Sequence, residues 1–120
     1  MGAAGACKLT ANEVAIGLTM PRAAVEILRQ RLAPVHFNRA VTIAEPFSPD
    51  NAVQAGFLDR VVGASELQGV ARSTAIALSK LDMHAHAESK LGAREHTLSA
   101  IRAAIDADYA AFRGRAWAAT

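Results

Sequence analysis

Apolar side chains recur every three or four residues along most of this chain, and that spacing predicts a largely helical protein. A first helix begins at Pro21, because a first-turn proline loses no intrahelical hydrogen bond. Its apolar face consists of Ala24, Val25, Leu28 and Leu32. Pro34 opens a second helix in the same way, with an inward face made of Phe37, Ala40, Val41 and Ala44.

A third, shorter helix leads into the main predicted strand. Ser48 is the predicted N-cap, Asp50 lies in the first turn and Gly56 ends the helix. Residues 57–62 are then predicted to form a strand. Residues 8–10 form a short extended candidate, and residues 1–5 resemble the end of an earlier strand and its turn. This alternation of helix and strand is typical of the edge of an α/β layered fold.

From Ser65 onward the pattern is helical only. Ser65 is the predicted N-cap of a helix whose apolar positions are Leu67, Val70, Ala71, Thr74, Leu78 and Leu81. Residues 83–91 predict a short exposed helix, and residues 95–112 predict a separate and more regular one. The latter carries an apolar stripe, by which we mean Leu98, Ile101, Ile105, Tyr109 and Phe112. Such a stripe is more often core or oligomer interface than a cofactor pocket.

The chain is predicted to be a single domain over residues 1–120, because it contains no internal repeat and no low-complexity linker. Within it, residues 8–62 form a strand, loop and helix part and residues 63–113 a helical part. Residues 114–120 are expected to be a fraying tail.

Composition predicts a globular chain with a weak core. Hydrophobic residues make up 52% of the 120 residues, but aromatic residues make up only 5%. A core of small side chains buries little area, and burial is worth only about 25 cal/mol per Å². We therefore expect the chain to be marginal alone and to need a partner surface. The net charge is +2 and the arginines are dispersed, so nucleic-acid binding is not expected.

Several other classes of site and location are disfavoured by the sequence. Cys7 is the single cysteine, which excludes an intramolecular disulfide and makes a cytoplasmic location the default. No apolar run reaches the roughly 18 to 20 residues that span a bilayer, so no membrane association is expected. His84, His86 and His96 lack the spacing and companion ligands of a metal site, so no metal is expected.

Glu13 is the strongest candidate for chemistry. It follows the extended segment 8–10, and the next charged residue is Arg22, beyond Pro21. A carboxyl group with apolar neighbours tends to hold its proton, which suits a general acid and base near neutral pH. The alternative is a glutamate that only caps a turn beside a helix.

Residues 9–21 (LTANEVAIGLTMP) resemble the segment of crotonase (enoyl-CoA hydratase/isomerase) superfamily enzymes that carries the second catalytic glutamate. There a short strand leads into a Pro-Glu or Asn-Glu pair, then an apolar run to Gly and a helix-opening Pro. Residues 44–62 resemble a second module of the family, in which a helix stops at Gly and a Val-rich strand follows. The resemblance covers residues 8–112 and corresponds to the C-terminal part of a crotonase subunit.

The resemblance implies an α/β crotonase-like (ClpP/crotonase type) fold, in its C-terminal portion, mostly helical with one or two short strands. It implies an acyl-CoA thioester substrate of fatty-acid β-oxidation and no separate cofactor, because coenzyme A is part of the substrate. Glu13 would be the catalytic residue that donates a proton to C2, and Gly17, Pro21 and Arg22 would bind substrate. It also implies a homo-oligomer, or association with other crotonase subunits, through the C-terminal helices.

Two features separate the sequence from a complete family member. The two backbone N–H groups that hold the thioester oxygen, and the family's first glutamate, lie in segments before the region that this chain resembles. We therefore expect a truncated chain, a mis-assigned start or a gene fragment, with little hydratase activity alone. In addition, Arg22 and two alanines follow Pro21 where hydratases have a Gly-rich turn. The alternative function is a non-catalytic helical interaction module derived from a crotonase.

Overall fold

The computed structural model describes the backbone of residues 1–118 and the side chains of residues 1–114. Helices dominate this part of the chain, and two short strands pair in parallel, which confirms the predicted fold class. In chain order the elements are β1 (Gly2–Ala3), α1 (Arg22–Arg31), α2 (Pro34–Ile43), α3 (Pro49–Ala55), β2 (Val61–Val62), α4 (Leu67–Leu78) and α5 (Met83–Ala118). A 3-10 turn, Val14–Ile16, precedes α1.

Both predicted proline-initiated helices form. Pro21 is the N-cap of α1, and Pro34 is the first residue of α2. The predicted faces point toward the rest of the chain, with Leu32 and Ala40 buried and the other six positions half-buried. Proline's fixed φ and missing donor therefore mark the helix starts correctly.

The third helix has the predicted caps, but the strand after it is shorter than expected. The Ser48 hydroxyl accepts a hydrogen bond from the Asn51 N–H (3.3 Å), and Gly56 ends the helix with φ of 100°. The Leu58 N–H then turns back to the Ala52 carbonyl (3.1 Å). Because this turn uses the residues after Gly56, the strand predicted over residues 57–62 is reduced to β2, which pairs with β1 in the register Gly2↔Val61 and Ala3↔Val62.

The predicted N-cap of α4 is wrong by one position. Glu66 occupies the cap position and Ser65 lies in the turn before it. The Glu66 carboxylate accepts a hydrogen bond from the Gly63 N–H (3.2 Å), which closes that turn.

Residues 83–118 form one helix, α5, where the sequence predicts two helices and a tail. Gly92 lies between the predicted segments, but one glycine costs a helix only about 1 kcal/mol. The expected tail is helical from Gly114 to Ala118, and its last two residues lie outside the described part of the chain.

The buried cluster sits where α1, α2 and α3 meet the segment around Phe47. Its members are Leu32, Ala40, Phe47, Ala52 and Ala55. Phe47 packs against Phe57 with ring centroids 5.2 Å apart and meets His36 edge-on at 5.9 Å. Three of the five residues in this cluster are alanines, so the core is as lightly built as the composition predicts.

Candidate functional site

Glu13 begins a loop, residues 13–20, that we refer to as the Glu13 loop. Before it, Leu9 exchanges two backbone hydrogen bonds with Phe47 (2.9 and 2.8 Å), so the predicted extended segment is anchored to the core. Within the loop, the Leu18 N–H donates a hydrogen bond to the Glu13 carbonyl (2.8 Å). Gly17 closes the 3-10 turn with φ of 78°, a left-handed conformation that favours glycine.

The Glu13 side chain is half-buried in the described structure, and its Oε2 atom is shielded from solvent. Among the described residues, Oε2 has no hydrogen-bond partner. Leaving a buried acceptor unpaired costs about 1–3 kcal/mol, so such an atom calls for an explanation.

The surroundings of Glu13 are apolar and uncovered. Its neighbours Val14, Ile16 and Leu18 are 44%, 61% and 58% exposed. Large apolar side chains that project from a loop in this way form a surface that another molecule can cover. The apolar residues that follow Glu13 in the sequence therefore line the surface of the chain.

An open groove of about 550 Å³ runs beside this loop. Gly17, a predicted substrate-binding residue, lies on its wall, and so does the residue that follows Glu13. Both α1 and α2 contribute side chains to it. The lining residues are Val14, Gly17, Leu18, Thr19, Met20, Val25, Val41 and Thr42.

The other two predicted substrate-binding residues, Pro21 and Arg22, line an adjacent cavity of about 460 Å³. It shares Thr19 and Met20 with the first groove, so the sequence-predicted residues do gather around one segment of chain. The Arg22 guanidinium, however, lies 3.7 Å from the Asp108 carboxylate and donates a hydrogen bond to the Ala107 carbonyl (3.3 Å). Part of its donor capacity is therefore used within the chain.

Asp108 is the residue of this region that the sequence analysis missed. It projects from α5 and accepts hydrogen bonds from the first two amides of α1, those of Arg22 (3.1 Å) and Ala23 (3.0 Å). The available signal was an acid between Ala104, Ala107 and Ala111 on the small-residue face of the last helix. The sequence pattern instead favoured burial of the apolar stripe, because larger apolar side chains bury more area than alanine does.

A second pair of titratable side chains, His36 and Glu45, lies beside Phe47. His36 Nδ1 and Glu45 Oε2 are both shielded from solvent without a hydrogen-bond partner among the described residues. They line a cavity of about 210 Å³, and Glu45 forms an ion pair with Arg39. This pair was not predicted, and it makes Glu45 a useful comparison for Glu13.

None of the described His, Cys, Asp and Glu side chains gather in a group of three that could hold a metal ion. Within the same part of the chain, no helix is long and apolar enough to cross a membrane. Cys7 is exposed.

Comparisons with known proteins give consistent matches among solved structures. An enoyl-CoA hydratase/isomerase family protein from Pseudomonas syringae is 47% identical, with a TM-score of 0.87 over 89% of this chain and 46% of its own. An enoyl-CoA hydratase from Mycobacterium ulcerans is 40% identical, with a TM-score of 0.88 over 92% of this chain and 49% of its own. Human mitochondrial delta3-delta2-enoyl-CoA isomerase is 27% identical, with a TM-score of 0.78 over 87% of this chain and 40% of its own.

The other two comparisons found nothing: no protein-family model and no curated protein matches this chain. The chain spans about half the length of the solved structures that it matches. Over that half, the sequence-based resemblance to the crotonase superfamily is confirmed.

Proposed function

This chain matches about half of the length of enoyl-CoA hydratase/isomerase proteins, and we propose that it carries the proton-transfer carboxylate of an acyl-CoA thioester site. Glu13 is the proposed catalytic residue. The observation that carries this proposal is its half-buried carboxyl group, with one unpaired oxygen, on a loop that borders an apolar groove. An acyl chain that lies along such a groove would contact Val14, the residue that follows Glu13.

Because Glu13 is the single catalytic carboxyl group proposed for this chain, the number of reactions that the chain can support is limited. Hydration of a 2-enoyl thioester adds water across a double bond, and the family resemblance assigns that reaction two glutamates. Isomerisation of a 3-enoyl to a 2-enoyl thioester moves one proton, which a single carboxylate can take from C2 and return to C4. Glu13 alone therefore suits isomerisation better than hydration, and the matched human mitochondrial protein is described as an isomerase.

Both reactions pass through an enolate-like thioester, whose oxygen needs hydrogen-bond donors as its charge develops. The family resemblance assigns those donors to segments that this chain does not match. We therefore propose that residues 1–120 by themselves have little hydratase activity. Crotonyl-CoA hydration by the purified chain at ordinary enzyme rates would contradict this part of the proposal.

Gly17, Pro21 and Arg22 are the proposed substrate-binding residues. Gly17 contributes to the wall of the groove beside Glu13, and its missing side chain leaves that wall open to the acyl chain. Pro21 and Arg22 line the neighbouring cavity. The Arg22 side chain is 61% exposed despite its contact with Asp108, which leaves it accessible to an anionic group of the ligand.

Ligand binding tests the site without requiring turnover. We expect butyryl-CoA, which has no double bond to react, to shift the amide NMR signals of Gly17, Leu18 and Thr19. The Glu13→Gln variant should alter this response, whereas Glu45→Gln changes the comparison carboxyl group and should leave it as in the unmodified chain. No shift in the Glu13 loop at millimolar butyryl-CoA, or equal effects of the two variants, would argue against the site.

The alternative function is a non-catalytic interaction module, and the exposure of the apolar stripe favours it. Ile105, Tyr109 and Phe112 are 52%, 62% and 67% exposed, and Leu98 is 37% exposed. The proposed partners are a second copy of this chain or other crotonase subunits. Light scattering from the purified chain tests self-association directly. A chain that stays monomeric at all concentrations would show that the apolar stripe does not bind a second copy of this chain.

Location and pathway follow only from the family and the cysteine content. We propose a cytoplasmic protein of fatty-acid β-oxidation, supported by a single exposed thiol and by the acyl-CoA class of the matched proteins. One matched protein is mitochondrial. Cell fractionation with an antibody to this chain would distinguish the two compartments.

A further inference from the structure

The N-terminus of α1 is capped by a residue from the other end of the chain. The N-cap Pro21 contributes no side-chain hydrogen bond, and the α1 amides of Arg22 and Ala23 donate to the two different carboxylate oxygens of Asp108. First-turn amides have no partner within their own helix, and a carboxylate there also meets the positive end of the helix dipole. Asp108 thus provides, across 86 residues, what an N-cap side chain usually provides locally.

Asp108 is joined to Glu13 through a short and well-defined segment. Thr19 and Met20 directly precede the capped turn, and Met20 is only 7% exposed. The residue before them, Leu18, is bonded through its amide to the Glu13 carbonyl (2.8 Å). Because both ends of this segment are held by hydrogen bonds and Met20 within it is buried, we expect a displacement of one end to reach the other.

The same segment forms walls of both cavities of the candidate site. Thr19 and Met20 line the groove beside Glu13 and also the cavity that Asp108 and Phe112 border. The packing of α5 against α1 therefore bears on where Thr19 and Met20 stand relative to Glu13.

From this geometry we propose that Asp108 is a positioning residue, which holds the start of α1 and thereby sets the conformation of the Glu13 loop. Its relevance to acyl-CoA chemistry rests on the function proposed above, but its effect on the loop does not require a ligand. Asp108 touches the backbone of Arg22 and Ala23 and acts on Glu13 only through residues 18–21.

NMR spectroscopy of the full chain without ligand tests this proposal. In Asp108→Ala, we expect the amides of Arg22 and Ala23 to exchange with solvent about five- to tenfold faster, since loss of a cap costs a helix about that factor. We also expect the amide signals of Leu18, Thr19 and Met20 to move. A purely structural contribution of α5 would lower global stability without this selective change.

Two further variants keep the test decisive. Asp108→Asn retains one carbonyl oxygen, so it should restore part of the protection, and it carries the test if Asp108→Ala does not fold. Asp106→Ala is the matched control, because Asp106 is exposed on another face of α5. Unchanged Leu18 to Met20 signals in the Asp108 variants, or equal changes in Asp106→Ala, would overturn the proposal. Absence of butyryl-CoA binding would instead count against the proposed function alone.

Discussion

Gly56 offers the sharpest test of how the core is assembled. It ends α3 with φ of 100°, and a Cβ atom built there would stand 2.6 Å from the carbonyl oxygen of Arg31 at the end of α1. Gly17 matches it in backbone conformation, with φ of 78°, but a Cβ at that position meets nothing within 4 Å. The two glycines therefore separate the cost of the conformation from the cost of the contact.

The expected magnitudes follow from these two terms. Alanine in a left-handed conformation costs about 1–2 kcal/mol at either position. At Gly56 the contact with backbone adds the cost of overpacking, about 1–3 kcal/mol, because a carbonyl group of a packed helix has little room to move. We expect Gly56→Ala to lose about 2–5 kcal/mol of unfolding free energy, and Gly17→Ala only about 1–2 kcal/mol.

The unfolding free energies of the Gly56→Ala and Gly17→Ala variants can be measured by urea titration, with the NMR signals of α1 and α3 as the probe because these helices hold the buried cluster. Gly69→Ala in α4 is a further control, since nothing lies within 4 Å of a Cβ there and alanine should gain up to about 1 kcal/mol. Equal losses at Gly56 and Gly17 would show that the close approach to Arg31 has no energetic weight.

Three further predictions each concern one side chain. A hydrogen bond from Arg31, and then the charge of that guanidinium, hold the pKa of Asp59 below its usual 3.8. Because the folded pKa is the lower one, the stabilisation is present above about pH 4 and is lost as the pH falls below it. Asp59→Asn should therefore reduce the loss of stability between about pH 6 and about pH 3 seen in urea titrations, and an unchanged acid dependence would refute this. Ser48→Ala should cost about 1 kcal/mol and speed solvent exchange of the Asn51 amide, and unchanged exchange would mean that the cap has no effect. Ile105→Asp should weaken any self-association seen by light scattering, whereas Ser99→Asp, a control on another face of α5, should not; equal effects would remove the apolar stripe from the interface.

Local chemistry made the first half of the chain predictable. Pro21 and Pro34 set helix starts, and Ser48 and Gly56 set the ends of α3, because each residue acts through its own backbone. The Glu13 loop was also identified correctly as a junction after an extended segment. Its role as a catalytic site stays a prediction, as do the division into residues 8–62 and 63–113 and the single domain.

Long-range contacts determine the parts that the sequence did not predict. The strand over residues 57–62 was shortened because Leu58 bonds back to Ala52, a turn that side-chain pattern does not reveal. The helix α5 packs through small residues such as Ala104, which is 8% exposed, while every residue of the apolar stripe except Ile101 is exposed. The Asp108 cap depends on this choice of face, so it could not be found before the packing of α5 on α1 was known.

The first part of α5 has a thermodynamic consequence of its own. Every residue from 83 to 96 is exposed, so this part of the helix depends on its continuity with the packed part that follows. Helical segments of about that length are barely stable in water on their own. Heating should therefore uncoil this arm gradually before the body melts, and the calorimetric enthalpy should exceed the van't Hoff value. A molecule that binds residues 83–96 would make them unfold in the same cooperative transition as the rest of the chain and would sharpen the melting curve.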